Sequence, residues 1–307
     1  MRGAVRTVFL DIIMAAAALL LIMRPDAAAG ATAPRIVTIG GAVTEIVFAL
    51  GHGDEVVAVD QTSSFPPAIK DKPNVGYMRT LSAEGVLSLA PTLILATEGS
   101  GPPDTIAVLQ RAAVPFVVVP EGYDAEAVLK KVRVIAKILG ETERGEAMAR
   151  AIASDFETLA AQRALIRQRR KAVFVLAIGS GAPTVGGSRT SADGLMALAG
   201  VDNALAAAEG FKPAVVESVL AAAPEVVLTM IERNHGMDAK TLFALPAFAG
   251  TPAARDQRLL RIPSSLLAFG PRTAHAAHEL MAAIYPELKL EDLPPRPWTG
   301  DAVVAHP

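Results

Sequence analysis

The chain has 307 residues, of which 51% are hydrophobic and 20% are charged, and its formal net charge is −2. This length is ample for one large or two medium globular cores, and the near-neutral charge argues against a nucleic-acid partner, because phosphate binding needs a concentrated basic surface. The chain contains no cysteine, which excludes disulfides, thiol chemistry and iron–sulfur ligation.

The N-terminus has the composition of a secretory signal. Arg2 and Arg6 precede the apolar stretch 8–23, and small residues follow at 27–30. A basic start, an apolar centre and small residues near a cleavage site are typical of signal peptides. We therefore expect residues 1–30 to be a signal peptide that exports the chain to the periplasm. The alternative is an uncleaved anchor, for which the apolar run is short.

Strand-like runs alternate with helical patterns from residue 34 onward. Glycines end the first strand and stop the helix that follows it, and later crossovers also contain helices. An α/β lobe with a largely parallel sheet over residues 34–123 is the economical interpretation. Its strands are predicted at 35–39, 56–59, 93–96 and 116–119, and its first helix at 43–50.

The segment 124–170 is predicted to link two lobes through a long helix. From Thr142 to about Arg169 the chain lacks proline, Gly145 is the only glycine, and apolar residues recur at helical spacing. Thr142 suits the N-cap position. Such a helix would be about 40 Å long, which suits a rigid strut.

A second α/β lobe is predicted over residues 171–288, with strands at 173–178, 226–229 and 259–262. The proline-rich tail 289–307 is expected to be extended or disordered. The predicted fold class is α/β, with two lobes that each hold a mostly parallel sheet flanked by helices, joined by a single long helix.

An internal repeat supports two related lobes. Residues 84–95 match residues 217–228: each unit has a glutamate, a short apolar helix, a proline seven residues after the glutamate, and a strand. The physical reason is that Pro91 and Pro224 each end a helix before the next apolar run enters a sheet.

These units, the segment Ile39–Glu45 and the long helix resemble the substrate-binding proteins of bacterial ABC importers for haem, cobalamin and iron siderophores. The resemblance covers residues 35–285. Two stretches, Val75–Gly85 (VGYMRTLSAEG) and Arg189–Gly194 (RTSADG), resemble the haem-binding branch in particular. The resemblance implies a periplasmic, non-enzymatic transport protein that carries haem in a cleft between its lobes.

Within that resemblance Tyr77 is the expected axial ligand of the haem iron. Ferric iron is a hard cation for which an anionic phenolate is a good ligand. Arg79, two residues on in an extended loop, could supply the charge that favours the phenolate. An ordinary loop aromatic is the alternative for Tyr77.

The second lobe offers weaker candidates. Some family members add a histidine after the first strand of that lobe, but residues 177–183 contain none, which favours five-coordinate iron or a different sixth group. Met230 could pack on the porphyrin or lie in the core. Arg233 and His235 are candidates to face the cleft, and a solvated loop is their alternative.

The family also implies partners. Glu84 and Glu217 are the positions expected to dock on a permease dimer with its ATPase subunits, with an outer-membrane haem uptake system upstream. Both could instead stabilise their helix starts.

Other functions remain open at this stage. A siderophore or cobalamin ligand, or an exported α/β enzyme, are the alternatives to haem transport, although no nucleophile motif supports an enzyme. His275 and His278 have a spacing that could suit zinc, but surface histidines are the better interpretation.

Overall fold

A computed structural model describes residues 33–178, 182–231 and 238–300. The predicted signal peptide and the last seven residues lie outside these ranges. No helix within them is long and apolar enough to cross a membrane. The strands are β1 Ile36–Ile39, β2 Val56–Val59, β3 Leu93–Thr97, β4 Phe116–Val119, β5 Lys171–Ala177, β6 Thr184–Gly186, β7 Asp202–Asn203, β8 Phe211–Pro213, β9 Val226–Met230 and β10 Leu259–Ile262.

Ten α-helices lie between and around the strands in the described ranges. They are α1 Gly41–Ala49, α2 Ala83–Leu87, α3 Pro103–Arg111, α4 Ala125–Leu139, α5 Thr142–Arg163, α6 Ser191–Leu198, α7 Val216–Ala222, α8 Ala239–Phe243, α9 Pro252–Arg255 and α10 Thr273–Ile284. Short 3₁₀ helices span Gly53–Glu55, Pro67–Asp71 and Ser264–Leu267.

The first sheet is fully parallel, with the strand order β2-β1-β3-β4. All four residues of the central strand β1 are buried, because helices cover both faces of the sheet. Since all strands run the same way, the loops that leave their carboxyl ends gather at one edge of the sheet. We call this edge, formed by residues 76–80, 97–101 and 120–123, the carboxyl edge.

The second sheet is mixed. Strands β10, β9 and β5 are parallel in that order, β6 and β8 continue antiparallel, and β7 pairs with the start of β5. The prediction of two α/β sheets flanked by helices is therefore confirmed. The three short strands β6, β7 and β8 were not predicted.

The long helix is shorter than expected. Helix α5 has 22 residues and ends at Arg163, so it is about 33 Å long. Thr142 is its first residue rather than its cap, since Glu141 precedes the helix and no side chain caps it. Helix α5 packs along α4, and Gly145 lies at their contact, where an added Cβ would stand 2.2 Å from the Cβ of Ala136. The single glycine of this segment therefore permits the close approach of two helices.

The internal repeat extends to backbone conformation. Val86 and Val219 occupy the same repeat position and are both fully buried. Ala90 and Ala223 also match, and both adopt a left-handed conformation with φ of 46° and 48°. Each directly precedes the repeat proline, although Ala223 directly follows α7 whereas Ala90 lies three residues after the end of α2, so the two units share a left-handed residue before their strands.

Residues 289–300 contain no helix or strand, but they are not disordered. The guanidinium of Arg296 donates two hydrogen bonds to the buried carboxylate of Asp155 on α5, at 2.6 and 3.1 Å. The side-chain amide of Gln162 donates to the carbonyl of Glu291 at 2.6 Å, and Leu293 is buried. We call this segment the C-terminal strap.

The strap also corrects the expectation for the two histidines of α10. His278 is buried, and its Nε2 lies 3.0 Å from the carbonyl of Glu291. His275 Nε2 lies 3.1 Å from the carbonyl of Pro294. Both rings therefore bind the strap, and the prediction of surface histidines is wrong for His278.

The segment that leaves the carboxyl end of β10 reaches the carboxyl edge of the first sheet within a few residues. Ala268 approaches Gly41 at the start of α1, where an added Cβ would meet the Ala268 Cβ at 3.3 Å. Arg272, which precedes α10, forms a buried ion pair with Glu45 of α1. The segment that follows the carboxyl end of β10 therefore contacts the helix that follows the carboxyl end of β1.

Candidate functional site

Tyr77 lies in a loop that runs beside the carboxyl end of β2. The amide of Val75 donates to the carbonyl of Val59 at 2.9 Å, and the amide of Gln61 donates to the carbonyl of Gly76 at 2.8 Å. Gly76 has a φ of 92°, a conformation that side chains disfavour. The backbone on the N-terminal side of Tyr77 is therefore fixed to the first sheet.

Tyr77 opens a tight turn rather than the expected extended loop. The amide of Thr80 donates to the carbonyl of Tyr77 at 2.8 Å, with Met78 and Arg79 between them. Tyr77 is half-buried and Arg79 is exposed. Among the described residues, neither the phenol of Tyr77 nor the guanidinium of Arg79 forms a hydrogen bond or an ion pair. Both side chains therefore keep their polar groups available for a ligand.

Hydrogen bonds join the three loops of the carboxyl edge. The amide of Gly101 donates to the carbonyl of Met78, and the amide of Leu81 donates to the carbonyl of Gly101, both at 2.9 Å. The amide of Glu121 donates to the carboxylate of Glu98 at 3.0 Å. The turn that carries Tyr77 is thus tied to the loop after β3, and that loop is tied to the loop after β4.

A buried lysine fixes the last of these loops. Lys131 of α4 is 1% exposed and forms an ion pair with Glu121. Its ammonium group also donates to the carbonyls of Gly122 and Phe269, both at 3.4 Å. The other carboxylate oxygen of Glu121 accepts a hydrogen bond from Thr97 at the end of β3, at 3.0 Å. A buried ammonium group must be paired, so Lys131 fixes the positions of residues 121–122 and of Phe269, which supply its partners.

Tyr123 stands next to this network. Its ring packs edge-to-face on Phe269, with 5.4 Å between the ring centroids. An added Cβ at Gly194 of α6 would stand 2.7 Å from the Tyr123 Cβ, so α6 approaches closely on this side. Burial raises the pKa of Tyr123, the charge of Glu121 raises it further, and the charge of Arg79 lowers it. The guanidinium of Arg79 therefore acts on the phenol of Tyr123.

The candidates of the second lobe are only partly described. Met230 ends β9 and is 4% exposed within the main apolar core, so its side chain is a core methionine in this structure. Contact of Met230 with a porphyrin stays a prediction. Arg233, His235 and residues 179–181 lie outside the described ranges.

Glu84 and Glu217 are each the second residue of a short helix, α2 and α7, and both are exposed. Among the described residues, neither carboxylate forms an ion pair. The two helix starts differ: the hydroxyl of Ser82 accepts a hydrogen bond from the amide of Gly85 at 3.2 Å, whereas Val215 supplies no side-chain cap to α7. The two carboxylates are free to meet a partner.

The sequence interpretation missed Lys131 and Phe269. The only signal for Lys131 was a lysine within the apolar face of α4, beside Val128, Val132 and Ile135, which are all fully buried. Phe269 adopts a left-handed conformation with φ of 53° after a 3₁₀ helix, which no pattern indicated. Within the described ranges, no group of three or more His, Cys, Asp or Glu residues is arranged to hold a metal ion.

Comparison with solved structures gives matches over more than four fifths of this chain. The periplasmic haem-binding protein RhuT from Roseiflexus sp. RS-1, in its apo form, is 36% identical, with a TM-score of 0.79 over 84% of this chain and all of that chain. The periplasmic haem-binding protein BhuT, solved with two haems, is also 36% identical, with a TM-score of 0.79 over 83% of this chain and 98% of that chain.

Curated relatives are more distant or shorter matches. An uncharacterised ABC transporter substrate-binding lipoprotein, YvrC of Bacillus subtilis, is 25% identical over 82% of this chain and 80% of its own length. The vitamin B12-binding protein of Vibrio cholerae is 37% identical, but over only 26% of this chain and 29% of its own length.

The family model described as periplasmic binding protein matches residues 36–266. That range contains both sheets and the carboxyl edge. The chain therefore belongs to the periplasmic binding protein family, whose members are substrate-binding proteins and not enzymes.

Proposed function

We propose that the chain binds haem between its lobes, with the phenolate of Tyr77 as the iron ligand, and delivers it to an inner-membrane ABC permease. The likeness to RhuT and BhuT, at 36% identity over more than four fifths of the chain, supports haem as the ligand. The observation that carries the proposal is the phenol of Tyr77, half-buried at the carboxyl edge on a hydrogen-bonded turn and unpartnered among the described residues.

The chemistry of Tyr77 suits ferric haem. The porphyrin supplies four nitrogen ligands, so the protein needs to provide only one strong axial ligand, and an anionic oxygen matches the hardness of ferric iron. The tyrosine side chain binds ferric iron as the phenolate, so iron binding must displace the hydroxyl proton. Haem binding should therefore release a proton and weaken as the pH falls.

Titration of the purified protein with ferric haem tests this assignment. We expect a high-spin spectrum with a phenolate-to-iron charge-transfer band. Tyr77→Phe should remove the band and weaken binding, whereas Tyr123→Phe, the matched change at the same edge, should keep it. A Tyr77→Phe protein with the wild-type spectrum would show that another group binds the iron.

Cobalamin is the second candidate ligand, and the short match to the vitamin B12-binding protein favours it. A siderophore is a third. Titration with cyanocobalamin beside ferric haem separates the first two. Tight binding of cobalamin without binding of haem would replace haem as the ligand while leaving the family membership intact.

Delivery is proposed to use Glu84 and Glu217 as docking groups for the two permease subunits, which act with their ATPase subunits. An outer-membrane haem uptake system would supply the ligand upstream. The proposal includes export through residues 1–30, lobes at 34–123 and 171–288, and a link at 124–170. Matched carboxylates on two related units suit a partner with twofold symmetry.

Charge reversal tests the docking role. The double variant Glu84→Lys and Glu217→Lys should bind haem normally but fail to transfer it to the reconstituted transporter. Glu126→Lys with Glu143→Lys, which reverses exposed glutamates in the first turns of α4 and α5, is the matched control. Normal transfer by the first variant would leave only the helix-start role for the two glutamates.

A further inference from the structure

We infer that Asp60 is a positioning residue for Tyr77, which fixes the backbone from which the phenol reaches the haem iron. Asp60 directly follows β2 and is fully buried. The inference rests on the proposed function, because the positioning role requires Tyr77 to be the iron ligand. It makes the strength of the bond between Tyr77 and iron depend on a side chain that is not exposed at the site.

The carboxylate of Asp60 accepts four hydrogen bonds. Its Oδ1 accepts from the amide of Gly40 and from the hydroxyl of Ser63, both at 2.8 Å. Its Oδ2 accepts from the amide of Thr62 at 2.9 Å and from the hydroxyl of Thr62 at 2.7 Å. Gly40 lies between β1 and α1, so these bonds join the loop after β2 to the turn after β1.

The hydroxyl of Ser63 extends this network into the core of the first lobe. Its Oγ lies 2.7 Å from Oγ1 of Thr44 on α1, and that atom lies 2.8 Å from Oγ1 of Thr38 on β1. Thr44 and Thr38 are fully buried, as Asp60 is. A buried polar network whose members are satisfied is rigid. The loop that begins at Asp60 is therefore held from the interior of the lobe.

The same loop holds the backbone that precedes Tyr77. The amide of Gln61 donates to the carbonyl of Gly76, the residue directly before Tyr77, at 2.8 Å. Gln61 and Gly76 are both exposed, so water competes for this hydrogen bond. The position of Tyr77 therefore depends on how firmly Gln61 is held, and the neighbouring carboxylate of Asp60 holds it.

An asparagine cannot replace this carboxylate, although it has the same shape. Each oxygen of Asp60 accepts from a backbone N–H group, which can only donate. Whichever way an asparagine amide turns, its NH₂ group faces the N–H of either Gly40 or Thr62. That N–H group then loses its acceptor inside the protein, which is costly. Asp60→Asn therefore breaks the network without changing the size of the side chain.

The test compares ferric haem with metal-free protoporphyrin IX, which has the same ring and side groups but needs no axial ligand. Both are titrated into wild-type protein, Asp60→Asn, Tyr77→Phe and the double variant. Asp155→Asn is the matched control, because Asp155 is also a buried carboxylate but binds the C-terminal strap. All titrations are made well below the lowest melting temperature of the set, so that every variant is folded.

We expect Asp60→Asn to weaken binding of ferric haem about ten-fold, the scale for loss of a group that orients a metal ligand. The phenolate-to-iron charge-transfer band should weaken or shift, and binding of metal-free protoporphyrin should be unchanged. In the Tyr77→Phe background, Asp60→Asn should weaken haem no further, because no phenolate is left to position. Asp155→Asn should lower the melting temperature and leave both titrations unchanged.

Thr62→Val is the second variant, to be used if Asp60→Asn does not fold. It removes only the hydroxyl that donates to Oδ2 of Asp60 and keeps a side chain of the same shape. It should weaken ferric haem by a smaller factor and should also leave metal-free protoporphyrin unchanged. If wild-type protein does not bind the metal-free ring, the double variant decides alone.

Equal weakening of both porphyrins by Asp60→Asn would overturn the positioning role. Unchanged haem binding would also overturn it, and so would a further loss of affinity in the Tyr77→Phe background. Loss of the charge-transfer band in Tyr77→Phe would leave the proposed function standing in each of these cases. A wild-type protein that binds no haem would overturn the proposed function and the positioning role together.

Discussion

The carboxylate of Glu45 receives two hydrogen bonds from the guanidinium of Arg272, at 2.7 and 3.0 Å, although 227 residues separate them in the chain. Both side chains are about 95% buried. The ring of Phe65 lies 3.8 Å from the same guanidinium. This pair joins α1 to the start of α10, the first and last helices of the described residues, so it is a long-range contact that closes the fold.

Removal of one partner should therefore be costly. Arg272→Met leaves the Glu45 carboxylate buried without a counter-charge, and we expect a loss of about 3–5 kcal/mol in the free energy of unfolding. Urea denaturation measures it. The double variant Glu45→Met and Arg272→Met should recover much of the loss, because no unpaired charge remains. If the free energy of unfolding of Arg272→Met were within about 0.5 kcal/mol of wild type, as for an ordinary surface substitution, the pair would not be important for stability.

The positions of the left-handed alanines Ala90 and Ala223, which precede the two repeat prolines, should favour glycine. Ala90→Gly and Ala223→Gly each remove a Cβ from a strained conformation, and we expect each to raise the free energy of unfolding by about 0.5–1 kcal/mol. Ala222→Gly, one residue earlier in the helix, is the control and should lower it by about 1 kcal/mol. Destabilisation by all three changes would contradict the argument from φ.

The contact between α4 and α5 should not tolerate a side chain at Gly145. Gly145→Ala places a methyl group 2.2 Å from the Cβ of Ala136, and we expect a loss of about 1–3 kcal/mol in the free energy of unfolding. Gly85→Ala in α2 is the control, because its nearest neighbour there is 3.5 Å away. Ala136→Gly should partly rescue the first variant, and a stability equal to wild type without rescue would refute the close contact.

His278 should make stability depend on pH. Burial lowers the pKa of His278 below 6.5, while its bond to Glu291, the charge of Asp292 and the charge of His275 act as smaller influences. The folded protein binds the proton more weakly than the unfolded chain, so stability is present above pH 6.5 and is lost as the pH falls through the lowered pKa.

Denaturation at several pH values compares wild type with His278→Gln. Wild-type stability should fall as the pH drops from about 7.5, one unit above the ordinary histidine pKa, through the lowered pKa of His278, and the variant should fall less. Parallel curves for the two proteins would mean that His278 does not set this dependence.

The strands that the sequence predicted are those made of largely apolar residues. Strands β2, β4 and β10 have the predicted bounds, because a short and largely apolar run between turn signals is a strong pattern, even though Val118 of β4 is exposed. Strands β6, β7 and β8 have two or three residues, and β8 contains a proline. These three strands form through pairing with neighbouring strands, and no local sequence pattern predicts them.

The candidate site also contains some residues that the sequence predicted and others that it did not. Tyr77 and Arg79 were identified because a contiguous motif surrounds them. Tyr123 and its neighbours were not, because Lys131 and Phe269 meet only through packing across 138 residues. The length of α5 was overestimated because nothing in the composition of residues 142–169 shows that the helix ends at Arg163. There the guanidinium of Arg163 donates a hydrogen bond to the carbonyl of Ala197 on α6, at 3.2 Å.

The C-terminal strap has a consequence for the order in which the parts of the protein can fold during synthesis. Synthesis proceeds from the N-terminus, so the first sheet and helix α5 exist before residues 289–300 are made. Until then, the carboxylate of Asp155 lacks Arg296, and Gln162 and His278 lack the carbonyl of Glu291. The strap-facing surfaces of α5 and α10 therefore stay uncovered until residues 289–300 are in place, so these residues complete the packing of both helices.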